Sequence, residues 1–200
     1  MKTPDLKLYL NPSPIIDSDH PDVARAAKEL AAGSGGARET ARRCFEYVRD
    51  GIRHSYDYRM NPVTLKASDV IAHRTGYCFA KSHLLAALLR ANGIPAGLCY
   101  QRLLLEESGL HCLHGLNAAY LPGTGWYRID ARGNKEGVDA GFHPPEERLA
   151  YRADKDGEMT LPGVWAEPLP AVVEVLSTYD NYLDVRKNLP DIDPDMIPAP

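Results

Sequence analysis

The sequence holds only four cysteines in 200 residues, carries no excess of basic charge and contains no long apolar run, and each shortage excludes a class of protein. Cys44, Cys78, Cys99 and Cys112 are too few for a disulfide scaffold, so each is weighed alone as a structural or a chemical residue. With 27 acidic against 23 basic residues, the net charge of −4 gives no general attraction for phosphate backbones or anionic lipid. No nucleic-acid or membrane partner is expected. The opening residues Met1 to Leu10 lack the ~7–15-residue apolar core of a secretory leader, and nothing later reaches the ~18 consecutive apolar residues of a membrane span. The expectation is a cytoplasmic protein. Internal repeats and low-complexity blocks are also missing. What is there is a globular composition, 44% hydrophobic and 25% charged, in a chain whose length fits one domain of ~100–200 residues.

Residues 1–21 read as an N-terminal arm, in which Leu6, Leu8 and Leu10 alternate as in a short strand. A helix beginning at Asp19 or Asp22 carries Val23, Ala26, Ala27 and Leu30 up to the break at Gly33-Ser34-Gly35-Gly36. Ala37, Ala41, Cys44, Phe45 and Val48 fall at helical spacing in a second helix that ends at Asp50-Gly51, which makes Cys44 a core residue. Ser68 to Ala72 forms a short capped helix that stops before Thr75-Gly76. From Cys78 to Ala91 the apolar stripe is too wide for a surface helix, so this helix is expected to be buried, with Asn92-Gly93 as its stop.

Segments 96–105, 112–121 and 126–130 are rich in strand formers, and the turns Glu106 to Gly109 and Leu121 to Gly125 join them into an antiparallel meander. Helices first and strands second predict an α+β fold. A long loop is expected after Asp130, then a single late helix from Ala171 to Lys187 with Val172, Val175, Leu176, Tyr179 and Leu183 on one face. The proline-punctuated end from Pro190 to Pro200 reads as a docked or frayed tail.

Cys78 opens the buried helix, where unpaired N–H groups and the partial positive charge favour a thiolate and can hold an oxyanion. The bland alternative is a small buried hydrophobe. A nucleophilic thiol needs a base, and the base an orienting partner. If Tyr120 pairs near Trp126, Asp130 falls close to Leu116, and His114 and Asp130 become diagonal neighbours on one sheet face, ~7–8 Å apart at Cα and within reach of a hydrogen bond. A one-residue slip would send Asp130 to the other face. His111 has the wrong parity, and His83 lies more than a turn beyond Cys78 and reads as packing or surface. His20, His54, His73 and His143 have no evident partner. A zinc site from Cys99, His111, Cys112 and His114 lacks the usual paired spacing, so no metal and no cofactor are expected, and Cys99 and Cys112 read as strand core. Tyr56, Tyr77 and Gln101 are unranked oxyanion donors, Trp126 is expected to pack beside the site, and Tyr58, Arg59, Arg128 and Arg132 line a groove or remain solvated.

Gly76-Tyr77-Cys78 opening the helix through Gly93-Ile94-Pro95 resembles the cysteine block of the transglutaminase-like superfamily. His114 followed by Ala119-Tyr120-Leu121-Pro122-Gly123, and Gly125-Trp126-Tyr127-Arg128-Ile129-Asp130, resemble its histidine and aspartate blocks in the same order. The resemblance points to a compact, bacterial-type member with its core over about 40–134 and a C-terminal extension and tail over 135–200. It implies a papain-like α+β fold, with the nucleophile helix packed on an antiparallel sheet. It further implies Cys78, His114 and Asp130 as a catalytic triad for cysteine-dependent hydrolysis or acyl transfer at peptide or protein amides; hydrolysis is favoured because water is abundant and nothing visible in the sequence builds an amine tunnel. Leu116 stands where the family often has an aromatic residue, and Ala131-Arg132 where it often has proline-threonine, so the groove lining departs from the pattern. The chain is too short for the β-domains of the calcium-dependent cross-linkers and shows no EF-hand loop. The alternative is a catalytically silent fold that binds peptides or proteins.

Overall fold

The computed structural model describes residues 5–200; the first four residues of the expected arm lie outside the described residues. Leu6–Tyr9 form a 3-10 turn where the alternating leucines predict a strand. The Asp5 carboxylate accepts the Lys7 N–H at 3.1 Å, and this local bond favours a turn over a ladder. Tyr9 is the residue that is buried, its hydroxyl donating to the Val164 carbonyl at 2.8 Å.

Helix α1 (Pro21–Ala31) starts at a proline and is capped by His20, whose Nδ1 accepts the Asp22 N–H at 3.3 Å; neither Asp19 nor Asp22 is the cap. Helix α2 (Ala37–Gly51) follows as expected, with Cys44 in the core. Strand β1 (Arg53–His54) and the single turn α3 (Ser55–Tyr58) precede α4 (Ala67–His73). Helix α4 begins at Ala67 rather than Ser68, with Lys66 as its N-cap, because the Asp69 carboxylate reaches back to the Lys66 N–H at 3.1 Å. Strand β2 (Thr75–Gly76) pairs in parallel with β1 and delivers the chain to α5 (Cys78–Ala91).

Helix α5 is buried on every side from Cys78 to Arg90, so it forms the centre of the molecule. Its polar side chains are held by backbone carbonyls. Lys81 Nζ donates to the Ile52 carbonyl at 2.5 Å and the Arg49 carbonyl at 3.3 Å, capping the end of α2. His83 Nδ1 lies 2.8 Å from the Leu65 carbonyl, so this histidine packs. Arg90 donates to the carbonyls of Ala96, Asn11 and Ala166. Gly93, at φ +71°, turns the chain into the sheet.

Strands β3 (Ala96–Leu105), β4 (Leu110–Leu121) and β5 (Gly125–Ile129) form the meander, with β4 starting two residues earlier than expected. The expected loop after Asp130 contains a small hairpin, β6 (Gly141–His143) and β7 (Glu146–Arg148), and strand β8 (Met159–Thr160). Strand β8 completes the main sheet in the order β5-β4-β3-β8. Asn117 donates to the Ser82 carbonyl of α5 at 2.8 Å, fixing the face of β4 that meets the helix. Trp126 instead joins Cys99, Leu116 and Ala118 in a separate small cluster and packs edge-on against Tyr9, so it does not border the site as expected.

The late helix is two, α6 (Pro170–Thr178) and α7 (Tyr182–Lys187). Asn181 breaks it by accepting the Leu183 N–H at 2.8 Å, a side-chain bond that competes with helix propagation and leaves Leu183 exposed. The tail is docked: Asp191 forks onto Arg102 at 2.8 and 2.7 Å, and the Trp165 indole donates to the Pro198 carbonyl at 3.3 Å. Among the described residues, no helix is long and apolar enough to cross a membrane.

Candidate active site

The register places Tyr120 opposite Trp126 and Asn117 opposite Ile129, as the sequence predicts. Strand β5 therefore ends before it covers the first half of β4. Two amides on that uncovered stretch find other partners: the Gly115 N–H donates to Cys78 Sγ at 3.5 Å, and the Leu113 N–H to the Pro190 carbonyl at 2.6 Å. The absence of a side chain at Gly115 permits the approach, because a Cβ there would lie 3.0 Å from Phe79 Cα.

Asp130 follows β5 directly and is fully buried. Its Oδ2 meets His114 Nε2 at 2.8 Å and accepts the Ala150 N–H at 3.1 Å, while Oδ1 accepts the Arg132 N–H at 3.1 Å. Burial pushes this carboxyl up, but the His114 charge and hydrogen bond, with the two backbone donors, outweigh it and hold the pKa below the usual value. Burial pulls His114 the other way, and the Asp130 charge, then the Cys78 sulfur, raise the imidazole well above its ordinary range. The three sequence-predicted residues thus come together. The arrangement is a buried carboxylate behind an imidazole that favours its protonated form, beside a sulfur at a helix start.

Cys78 is 8% exposed and opens into a cleft of about 440 Å³. Leu103, Leu104, Leu105 and Leu189 give the cleft an apolar wall. On another side the Tyr151 ring stands edge-on to His114 at 5.0 Å, and the Arg132 guanidinium lies 5.9 Å from that ring. Arg132 is anchored by Asp57 at 2.5 Å, with Lys135 on the same carboxylate at 2.8 Å. Burial raises the Asp57 carboxyl, and the hydrogen bonds from Arg132 and Lys135 overcome it and hold it at about 2.

The other candidates separate. Arg132 lines the cleft, whereas Arg128 pairs with Glu147, Arg59 ends α3 in the left-handed region, and Tyr58 lies under Arg53. The Tyr77 hydroxyl is committed to the Tyr182 carbonyl at 2.6 Å, and Gln101 Nε2 to the Tyr151 carbonyl and Thr160 Oγ1. Tyr56 lies in the cleft wall beneath Arg186. His111 is turned to the Asp156 carbonyl at 3.2 Å, and Cys112 forms part of the cleft wall rather than only strand core. Among the described residues, no cluster of three or more His, Cys, Asp or Glu side chains is arranged to hold a metal ion.

Sequence reasoning missed Gly115, His54, Asp57, Lys135 and Tyr151. His54 is buried in the cleft wall with Nδ1 unpartnered, edge-on to Tyr77 at 5.3 Å. A signal exists only for Gly115: a glycine inside a strand pattern marks a close approach.

A family model described as the transglutaminase-like superfamily matches residues 24–131, more than half of the chain. The chain belongs to the transglutaminase-like superfamily. Its mixed helices and antiparallel sheet follow the transglutaminase-like, papain-like fold of that superfamily. Among solved structures, the chain is similar to a candidate cysteine protease from Cytophaga hutchinsonii, at 24% identity and a TM-score of 0.51, over 65% of this chain and 43% of that one. It is also similar to the periplasmic domain of TgpA from Pseudomonas aeruginosa, at 20% identity and a TM-score of 0.49, over 64% of this chain and 47% of that one. The chain thus spans less than half the length of either structure. None of the curated proteins matches the chain.

Proposed function

We propose that the protein performs cysteine-dependent chemistry on amide bonds of peptides or proteins, with Cys78 as nucleophile, His114 as general acid and base, and Asp130 as the group that orients the imidazole. The observation that carries this reading is that Cys78 and His114 line an open cleft while Asp130, buried behind the imidazole, meets His114 at 2.8 Å. The Cys78 thiolate attacks the amide carbonyl carbon, and the amides at the start of α5, which have no intrahelical acceptor, face the developing oxyanion. The carbon–nitrogen bond then breaks as the His114 imidazolium gives its proton to the departing amine, leaving a thioester on Cys78 and a neutral imidazole. Water attacks the thioester while His114 takes its proton, the acid leaves, and the thiolate–imidazolium pair is restored. An amine in place of water would give transfer, and water is the acceptor we assign because the open cleft admits it. A reducing cytoplasm suits this chemistry, since it keeps Cys78 a thiol.

The experiment is incubation with glutamine-containing peptides with and without a small primary amine, read by mass spectrometry. Free acid and released amine or ammonia, absent in Cys78→Ala, support hydrolysis; an amine adduct would reassign the protein as a transferase. No product of either kind, together with peptide binding that survives in Cys78→Ala, would leave a binding module in place of an enzyme.

A further inference from the structure

A second cavity, of about 450 Å³, shares His54, Arg132 and Lys135 with the Cys78 cleft. Its charges do not balance. Arg49, Arg53, Lys81, Arg132 and Lys135 line it against two carboxylates, Asp50 and Asp57. Arg49 occupies Asp50 with a two-pronged pair at 2.7 and 2.8 Å, and Arg132 and Lys135 share Asp57. Among the described residues, Arg53 has the Tyr58 ring at 5.2 Å but no carboxylate in ion-pairing range. Lys81 Nζ donates only to the carbonyls of Ile52 and Arg49.

The wall between this cavity and the cleft holds a further unmet group. His54 is 7% exposed, and its Nδ1 has no hydrogen-bond partner although it lies 3.7 Å from Asp57 Oδ2. Capping of α2 accounts for Lys81, and the pair with Asp57 accounts for Arg132, each by itself. Neither accounts for the free His54 nitrogen or for the excess of cations over carboxylates around one cavity in a protein of net charge −4. Burial, with the charge of Arg132 next, holds the Lys81 ammonium down at about 7 against the opposing pull of Asp130, Asp50 and Asp57. Lys81 and Arg132 are buried while Arg53 and Lys135 reach solvent, so an anion entering the cavity from its open side would meet all of them.

We infer that this second cavity is an anion subsite of the Cys78 cleft, and that it takes a carboxylate carried by the substrate next to the reacting amide. The favoured substrate class is therefore acidic: peptides with glutamate or aspartate beside the bond that Cys78 attacks. The inference deepens the proposed function and rests on it for the identity of the reacting amide.

The test uses three matched peptide amides that carry Glu, Gln or Lys beside the reacting bond, with wild type and with an Arg53→Glu/Lys135→Glu double variant. Both substituted side chains reach solvent, and the melting temperature checks that the variant folds; Lys135→Glu alone serves if the double variant does not. The expected result is a kcat/KM for the Glu peptide about tenfold or more above the Gln peptide, the worth of one charge-assisted hydrogen bond. The Glu-to-Gln ratio should fall with added salt and collapse toward one in the variant. Equal or better turnover of the Gln or Lys peptide by wild type, or a ratio that survives charge reversal, overturns the inference. If no peptide is turned over, fluorescence anisotropy with Cys78→Ala decides. Tighter binding of the Glu peptide that is lost on adding the charge reversals sustains the subsite and sinks the amide chemistry; equal binding of all three sinks the subsite as well.

Discussion

A methyl group at Gly115 would lie 3.0 Å from Phe79 Cα and 3.2 Å from Phe79 N, so strand β4 and the first turn of α5 are as close as two backbones of this kind can come. Gly115→Ala must push them apart or distort one of them, at a cost of about 1–3 kcal/mol, the usual penalty of overpacking. The Gly115–Cys78 contact would open with it. The expected outcome is a lowered melting temperature together with slower modification of Cys78 than in wild type. A variant as stable and as reactive as wild type would show that this approach does not position the sulfur.

Iodoacetamide should label Cys78 ahead of the other three thiols. Burial pushes Cys44, Cys99 and Cys112 up to about 12, which leaves them almost wholly as unreactive thiols, whereas Cys78 opens into the cleft. His114→Ala should slow the labelling of Cys78 and leave the others unchanged. Peptide mapping after timed quenching reads this, and equal labelling of all four would contradict it.

Asp130→Ala removes the acceptor of three hydrogen bonds in a fully buried place, including the one that orients His114. Breaking one side of a buried pair costs about 3–5 kcal/mol of stability. Asp130→Asn keeps the shape but replaces one oxygen by a donor, so it should fold better than the alanine variant while kcat still falls by about 10²–10⁴. An asparagine variant with unchanged kcat would remove Asp130 from the proposed mechanism.

Lys81 gives a pH signature with a definite sign. Its pKa is about 7 in the folded protein and about 10.4 in an unfolded chain, so between these values the unfolded state binds more protons and stability rises with pH. His114 acts in the opposite sense, because its raised pKa contributes stability below about 6.5 that is lost as pH rises. The comparison with Lys81→Met isolates the lysine. From pH 7 to 10, wild type should gain stability relative to the variant, and chemical denaturation across that range measures it. A difference that stays flat would mean that Lys81 is not held below its ordinary value.

The parts of this fold that rest on long periodic segments were legible in the residues. Helix α5 announced itself by apolar positions all round and a Cys at its start, and the Tyr120–Trp126 pairing followed from the turn at Leu121 to Gly125. That register placed Asp130 on the His114 face. Where local side-chain bonds compete with pattern, the reading failed: Asp5 made a turn of an alternating leucine stretch, and Asn181 cut one apolar helical face into two helices. The cleft walls were illegible for a different reason. Asp57, Lys135 and Tyr151 belong to short or irregular segments, and only tertiary packing brings them to Arg132 and His114.

The Pro190 carbonyl seated on the Leu113 amide has a consequence for how such a molecule diversifies. The sulfur, ring and carboxylate all lie within residues 24–131, whereas Arg186 and Leu189, which border the cleft, come from the far end of the chain. The carboxyl-terminal stretch thereby adds one border to a cleft that also takes walls, Tyr56 and Leu103 to Leu105 among them, from within residues 24–131. A change at Arg186 or Leu189 would alter one border of the cleft without touching the sequence that carries Cys78, His114 and Asp130.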